Sequence, residues 1–399
     1  MNKIVDIIIK QKFAKEYRDG YPLISLETIE NVDKLTQEGL VLNLYDNKKK
    51  FIAKGYYGRQ NKGYGWILTD NKEQNIDKDF FQTKIELAIK SRELYFKDDH
   101  TTAFRVLNGE GDGLGGVTID YFDGFYMITW YSLGIYQFKD NIVEALKSCV
   151  KYKGIYQKKR FDTKGQYLDD KGDFLEGIEA PNPFIVKENN INFAVYLDDG
   201  PMVGVFLDQK DVRKTLRDKY SKGKSVLNTF SYTGAFSVAA SLGGATKTTS
   251  VDLANRSRAK TTEQFNVNNI DLSKQDVIVE DVFNYFKFAV KKGYKFDVVV
   301  LDPPSFARSK KHTFSVSKDY TKLLKEAITI TNKNGIIVAS TNAANVNMRR
   351  FREFIDKAFK QLKLRYEIKE VYTLPKDFKV CSNFKEGDYL KVIFIKKIG

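Results

Sequence analysis

The stretch VVVLDPPSFARSKK, residues 298–311, is an apolar run that stops at an acid and two prolines before turning basic. Val298, Val299, Val300 and Leu301 follow one another without alternation, the pattern of a parallel strand covered on both faces. Asp302 stands at the strand's carboxyl end. Pro303 and Pro304 donate no backbone hydrogen bond and fix their own φ, so the chain leaves the sheet stiff and extended. Such a turn can present a carboxylate and carbonyl acceptors to a flat, amino-bearing ring. Asp-Pro-Pro can also do no more than end a strand, and the neighbouring segments have to separate the two readings.

Upstream, strands alternate with single helices. KSVLNTF (224–230), TKTTSVD (246–252), DVIVED (276–281) and FDVVVLD (296–302) read as strands, and GAFSVAASLG (234–243) and SRAKTTEQFNVNN as helices. That spacing implies an α/β fold with a doubly wound, mostly parallel sheet, in which ligands lie beyond the carboxyl ends of the strands. Those ends carry the turn Asn228-Thr229-Phe230-Ser231-Tyr232-Thr233-Gly234, then Asp252, Asp281 and Asp302. Four polar or acidic strand ends are harder to explain as caps than one. Asp252 is placed to accept both hydroxyls of a ribose, and Asp281 the amino group of an adenine. A dinucleotide would want a G-x-G-x-x-G turn; the turn here offers only Gly234, which suits a nucleoside cofactor without phosphate.

Three domains suit the length of 399 residues: 1–72, 73–190 and 191–399. The first reads as a small β-rich module with hairpins in GLVLNLYDNKKKFIAKGYYG and GYGWIL. Lys48, Lys49, Lys50 and Arg59 beside Tyr56, Tyr57, Tyr64 and Trp66 form either a basic stacking surface or a small β core with a lysine turn. DKDFFQTKIELAIKSRELYF has helical spacing and opens an α+β middle domain. In that domain GEGDGLGG lacks a Walker lysine and leads into a strand, so it reads as a tight β connection and not a phosphate loop. Cys149, at helical spacing with Val143, Leu146 and Val150, reads as core.

The two cysteines, Cys149 and Cys381, and the two histidines, His100 and His312, argue against a disulfide framework, a metal cluster or a histidine triad. No apolar run reaches the ~18–20 residues of a membrane span, and the N-terminus has no cleavage region, which points to the cytoplasm. The net charge of +15, with 23 Tyr and 29 Phe, suits a polyanion partner whose bases stack on aromatic rings, although a lysine-rich genome gives the same excess.

NTFSYTGAFSVAASLGGA, SVDLANRSRAKTTEQFNVN and VVVLDPPSFARSKK resemble the first, second and fourth motifs of class I S-adenosylmethionine-dependent methyltransferases. More narrowly, they resemble the bacterial large-subunit (23S) ribosomal RNA methyltransferases that carry an N-terminal PUA module, a central α+β domain and a C-terminal Rossmann-like domain. GPMVGVFLDQKDVR (200–213), RVLNGEGDGLGGVTIDYF (105–122) and NFKEGDYLKVIF (383–394) extend the resemblance over nearly the whole chain. It implies S-adenosylmethionine as cofactor, contacted by Phe206, Asp208, Gln209, Asn228, Ser231, Tyr232, Gly234, Asp252, Asp281 and Asp302. It also implies ribosomal RNA as partner, free or in a partly assembled large subunit, no membrane, and a homodimer left open.

The best-known members of this domain order make 5-methylcytosine, so the resemblance implies carbon 5 of a 23S ribosomal RNA cytosine as the target here, with nitrogen methylation of a base or a silent ribosome-binding role as alternatives. For carbon 5 a cysteine thiolate adds to ring carbon 6. The resemblance places that cysteine after the strand GIIVAS (335–340), where this chain reads Thr341-Asn342-Ala343-Ala344. Three routes stay open. Cys381, beside Lys376, Lys379 and Lys385, supplies the thiolate, unless it is a surface cysteine without a role. A ring or amino nitrogen of guanine or adenine is methylated instead, with Asn342 and the Pro303 carbonyl holding the base edge and Asp302 accepting a proton or orienting an amino group. Or the chain binds ribosomes without turnover. A small-molecule methyltransferase would need neither the +15 charge nor the N-terminal module.

Overall fold

The computed structural model describes residues 3–61, 63–161, 172–200, 202–308 and 313–398. Ser309, Lys310 and Lys311 of the opening stretch, Pro201 and His312 lie outside the described residues. The chain divides into two compact units, Met1–Val186 with Tyr196–Val203 and Lys376–Gly387, and Lys187–Val195 with Gly204–Pro375 and Asp388–Gly399.

The first unit holds two five-stranded sheets. One runs in the order Ile4–Ile8, Val41–Tyr45, Phe51–Tyr57, Gly65–Thr69, Leu23–Ile24. Its hairpins are the expected ones, but Ile4–Ile8 joins in parallel, and a helix, Gln11–Arg18, follows it. Tyr56, Tyr57 and Trp66 are at most 5% exposed, so they are core and not a stacking face: Tyr57 packs within this module, Tyr56 and Trp66 in the cluster it shares with the second sheet. Lys48, Lys49, Lys50 and Arg59 are exposed.

The second sheet runs Phe174–Gly177, Gly154–Lys159, Phe125–Trp130, Val117–Phe122, Ala103–Asn108. The helix Lys78–Ser91 begins where the carboxylate of Asp77 accepts from Phe80 N, an N-cap bond. The glycine-rich loop closes the antiparallel pair Ala103–Asn108 and Val117–Phe122. A Cβ on Gly115 would lie 2.2 Å from Trp66, so packing against that ring requires glycine there. Cys149 ends the helix Lys139–Cys149, half-buried, and burial pushes its thiol up to about 11.

Lys376–Gly387 is tied into this first unit. Arg92, 1% exposed, holds both oxygens of Asp112 at 2.6 and 2.8 Å and donates to the Asp377 carbonyl at 2.6 Å. Phe384 packs edge-on against Tyr21 and Trp66, and Cys381 lies against the same core.

The second unit is built on one seven-stranded sheet. Its strands are β1 (Ser225–Thr229), β2 (Lys247–Asp252), β3 (Gln275–Val279), β4 (Phe296–Leu301), β5 (Thr331–Thr341), β6 (Arg365–Tyr372) and β7 (Lys391–Ile398), in the order β3-β2-β1-β4-β5-β7-β6. Pairing is parallel from β3 to β5, and β7 runs antiparallel to both its neighbours. The helices are α1 (Lys210–Thr215), α2 (Ala235–Leu242), α3 (Arg256–Asn266), α4 (Val282–Lys292), α5 (Val316–Ile330) and α6 (Met348–Leu362).

The unalternating run of β4 has its explanation in two cores. Val298 and Val300 pack with Val212, Leu216 and Phe236 on one face, and Val299 and Leu301 with residues of α4, α5 and α6 on the other. Each such buried side chain contributes about 1.5–3 kcal/mol, so a polar residue at either parity would open a core. The third strand stops at Val279, two residues before Asp281, because Asp281 caps α4 instead of closing the strand.

Candidate active site

Strand register brings the carboxyl ends to one edge. Thr229 pairs with Val251 and Leu301, Asp252 with Val279, and Leu301 with Ala339. The loops leaving that edge enclose a cavity of about 410 Å³.

The turn after β1 is held in an unusual conformation. Phe230, Tyr232 and Gly234 have φ of 54°, 51° and 78°, left-handed values that cost about 1–3 kcal/mol at each non-glycine position. Surrounding bonds hold it there: Ser231 N donates to Val251 O at 3.1 Å, Tyr232 N to Asp252 Oδ2 at 2.8 Å, and Thr233 Oγ1 to Gly204 O at 2.7 Å. Ser231 and Tyr232 line the cavity, as does Phe206, which is 42% exposed with its ring 5.3 Å from that of Tyr232.

Asn228 and Gly234 stand elsewhere than on the cavity wall. Asn228 is 1% exposed and donates to Ser237 Oγ at 3.1 Å, bracing β1 against α2 beneath the turn. Gly234 lets α2 start against α3, since a Cβ there would lie 2.4 Å from Thr261 Cγ2.

Four carboxylates line the cavity: Asp208, Asp252, Asp281 and Asp302. Asp252 accepts one amide on each oxygen, from Tyr232 and from Ala254 at 2.9 Å, and each oxygen keeps a further lone pair for a hydroxyl donor. Asp281 makes both cap bonds, to Phe283 N and Asn284 N, through Oδ1. Asp208 Oδ2 accepts from Tyr389 OH at 2.9 Å. Asp302 accepts from Gln209 Nε2 on both oxygens, at 3.2 and 3.3 Å. Burial pushes its carboxyl up to about 6; the Asp208 charge adds to the rise, while Ser340, Arg213 and Gln209 oppose it.

Sequence reasoning missed the residues that hold this floor together. Arg213 is buried, grips Glu188 at 2.8 and 2.6 Å, and donates to Phe206 O at 2.7 Å, which fixes the loop carrying Phe206, Asp208 and Gln209. Ser340, fully buried, accepts from Gln209 Nε2 at 3.0 Å. Both contacts join residues far apart in sequence, Glu188 with Arg213 and Gln209 with Ser340, so no local spacing announces them.

Beside Pro303, the exposed Asn342 lines the cavity at the end of β5, and its Oδ1 accepts from Ser305 Oγ at 2.6 Å. Lys391, 4% exposed, donates to Ala343 O at 2.9 Å and Tyr389 O at 2.8 Å; desolvation lowers its ammonium to about 8. Neither Cys149 nor Cys381 is among the residues lining the cavity, and both belong to the first unit.

Residues 113–366 match the family described as S-adenosylmethionine-dependent methyltransferase, and residues 7–70 match a PUA-like domain. The chain belongs to the S-adenosylmethionine-dependent methyltransferases. A Bacillus subtilis (strain 168) protein named "Putative ribosomal RNA large subunit methyltransferase YwbD" is 55% identical over 98% of this chain and 99% of its own length. The "Ribosomal RNA large subunit methyltransferase I" of Aliivibrio fischeri (strain MJ11) is 30% identical over 97% and 98%. A crystal structure described as a "putative methyltransferase complexed with SAH" superposes with a TM-score of 0.91 at 39% identity, covering 98% of this chain and all of that one.

The cofactor of this methyltransferase is S-adenosylmethionine, and the cavity fits it. Gln209 Oε1 is a buried acceptor with no partner among the described residues, the volume suits a nucleoside-sized ligand, and carboxylates alternate with the apolar walls of Phe206, Leu253, Val282 and Phe283. When bound, the cofactor supplies an electrophilic methyl carbon attached to a positively charged sulfur. No helix among the described residues is long and apolar enough to cross a membrane.

Proposed function

We propose that this methyltransferase modifies a base of large-subunit ribosomal RNA at a nitrogen atom, of guanine or adenine. The names of the two relatives above, which align over nearly their full lengths, support the substrate, and the net charge of +15 suits a polyanion. The observation that carries the choice of atom is Asn342. It lines the cavity, and it stands in the segment after GIIVAS where the sequence resemblance implies the thiol of a carbon-5 enzyme.

Carbon 5 of cytosine is a poor nucleophile and needs a thiolate adduct at carbon 6. An amide cannot form that adduct, and the side chain of Cys381 packs against the core of the first unit. A nitrogen lone pair needs no such activation. The protein's work is then to hold the ring edge and take up charge. Asn342 and the Pro303 carbonyl hold the edge, and Asp302, with a carboxyl that titrates near 6, receives a proton or orients an amino group.

Nucleoside mass spectrometry of ribosomal RNA from cells with and without the protein tests this. Loss of one methylated purine is expected. Loss of one 5-methylcytosine would overturn the nitrogen assignment and return Cys381 to the centre of the chemistry, and an unchanged set of nucleosides would overturn the substrate assignment.

A further inference from the structure

A second cavity of the methyltransferase unit, of about 390 Å³, lies between α5 and α6 and is used by nothing described so far. Its lining includes Lys318, Lys322 and Lys325 from α5, and Arg350 and Lys357 from α6, against one carboxylate, Glu353. The spacings i, i+4, i+7 on α5 and i, i+7 on α6 put the cations in two facing rows on adjacent helices. Glu353 engages Arg350 at 3.5 Å, and Lys325 donates to Gln361 at 3.1 Å. Lys318, Lys322 and Lys357 project into solvent.

Two observations tie this groove to the site. The helices are the crossovers leaving β4 and β5, so their N-terminal ends start beside the strand ends that carry Asp302 and Asn342. The groove is also braced to the sheet beneath it: its lining Phe354 lies nearly parallel to the buried Tyr320, 6.2 Å away, with the Arg350 guanidinium 5.3 Å from the Phe354 ring centre and Tyr320 OH donating to Ser340 O. Two cationic rows on adjacent helices, whose N-terminal ends start on the same edge of the sheet as the cavity, match the repeating single charges of a phosphodiester backbone.

We infer that the α5–α6 groove binds the phosphate backbone of the RNA strand whose base enters the cavity. This rests on the reading of RNA as substrate. The groove would position the strand and carry no sequence information.

The test uses the full-length protein, unmodified large-subunit ribosomal RNA transcribed in vitro, and the triple variant Lys318→Ala, Lys322→Ala, Lys357→Ala. These side chains are exposed, so the fold and the affinity for S-adenosylhomocysteine in calorimetry should be those of the wild type. RNA affinity is expected to fall ~10-fold or more at moderate salt, and the log–log salt slope to shrink by about 2–3, for three contacts at ~0.7–0.9 each. KM for RNA should rise with kcat nearly unchanged. A wild type that methylates the RNA while the variant keeps its slope and KM would overturn the groove alone. A wild type that neither binds nor methylates it would overturn the substrate reading and the groove with it. Unchanged RNA binding with weakened binding to purified large subunits would give the surface to a protein partner and overturn the RNA assignment.

Discussion

Gln209 and Asp302, 93 residues apart in sequence, are joined by a forked contact in which Nε2 of the amide reaches both carboxylate oxygens, at 3.2 and 3.3 Å. The same nitrogen reaches Ser340 Oγ at the end of β5. Gln209 thereby ties the loop that carries Phe206 and Asp208 to the acid at the floor of the cavity. The contact also stabilises the ionised form of a carboxyl that burial pushes toward its neutral one.

Methyl transfer should therefore fall as pH drops through about 6, where Asp302 takes up a proton. Gln209→Ala removes a lowering influence, so its kcat/KM profile should move to higher pH. An identical pH profile in wild type and Gln209→Ala would refute the coupling.

Burial of Asp302 also makes stability depend on pH. A carboxyl raised in the folded protein favours folding while protonated, and that contribution is lost as pH rises from the unfolded value near 3.8 through about 6. Asp302→Asn removes the cost of holding a buried charge at pH 7.5. Its urea midpoint at that pH should equal or exceed that of the wild type, while methyl transfer falls by two orders of magnitude or more. A lower midpoint would show that the charge is a net structural asset.

Asp252→Ala should weaken binding of S-adenosylhomocysteine more than tenfold in calorimetry, because a charged acceptor is worth roughly 1.5–3 kcal/mol. Asp252 also holds the amides of Tyr232 and Ala254, so Asp252→Asn, which keeps one acceptor, should fall between the two. Wild-type affinity in the alanine variant would remove Asp252 from the cofactor site.

Gly234→Ala should destabilise the second unit by about 1–3 kcal/mol from its left-handed backbone alone, with the contact at Thr261 adding to that. Urea denaturation measures it. An unchanged midpoint would mean that the α2–α3 approach is loose.

Cys381→Ser should leave turnover within a factor of about two, since a serine in the partly buried contact with the first unit's core costs little at a single site. Abolished turnover with normal cofactor affinity would contradict nitrogen methylation.

The sheet could be read from Val298–Leu301 because a strand buried on both faces leaves a signature of unbroken apolar residues, and Asp252 and Asp302 at the strand ends followed from it, whereas Asp281 caps α4 two residues past its strand. Which residues of the Asn228–Gly234 turn face the cavity could not be read, since that depends on alternating left-handed backbone at Phe230, Tyr232 and Gly234. Glu188 with Arg213 and Gln209 with Ser340 are long-range pairs that leave no local pattern. Cys381 precedes β7 by only ten residues, yet its segment belongs to the first unit, where Arg92 and Phe384 hold it. Tyr56 and Trp66 could be read as surface or core from sequence alone, and their burial puts them in the core.

On the nitrogen reading, a purine nitrogen is the atom that receives the methyl group. Purified protein, S-adenosylmethionine carrying a labelled methyl and unmodified large-subunit ribosomal RNA, followed by complete digestion and identification of the labelled nucleoside, tests it directly. The expected product is a single purine methylated on nitrogen, formed equally by wild type and Cys381→Ser. Label in 5-methylcytosine, lost in Cys381→Ser, would contradict it.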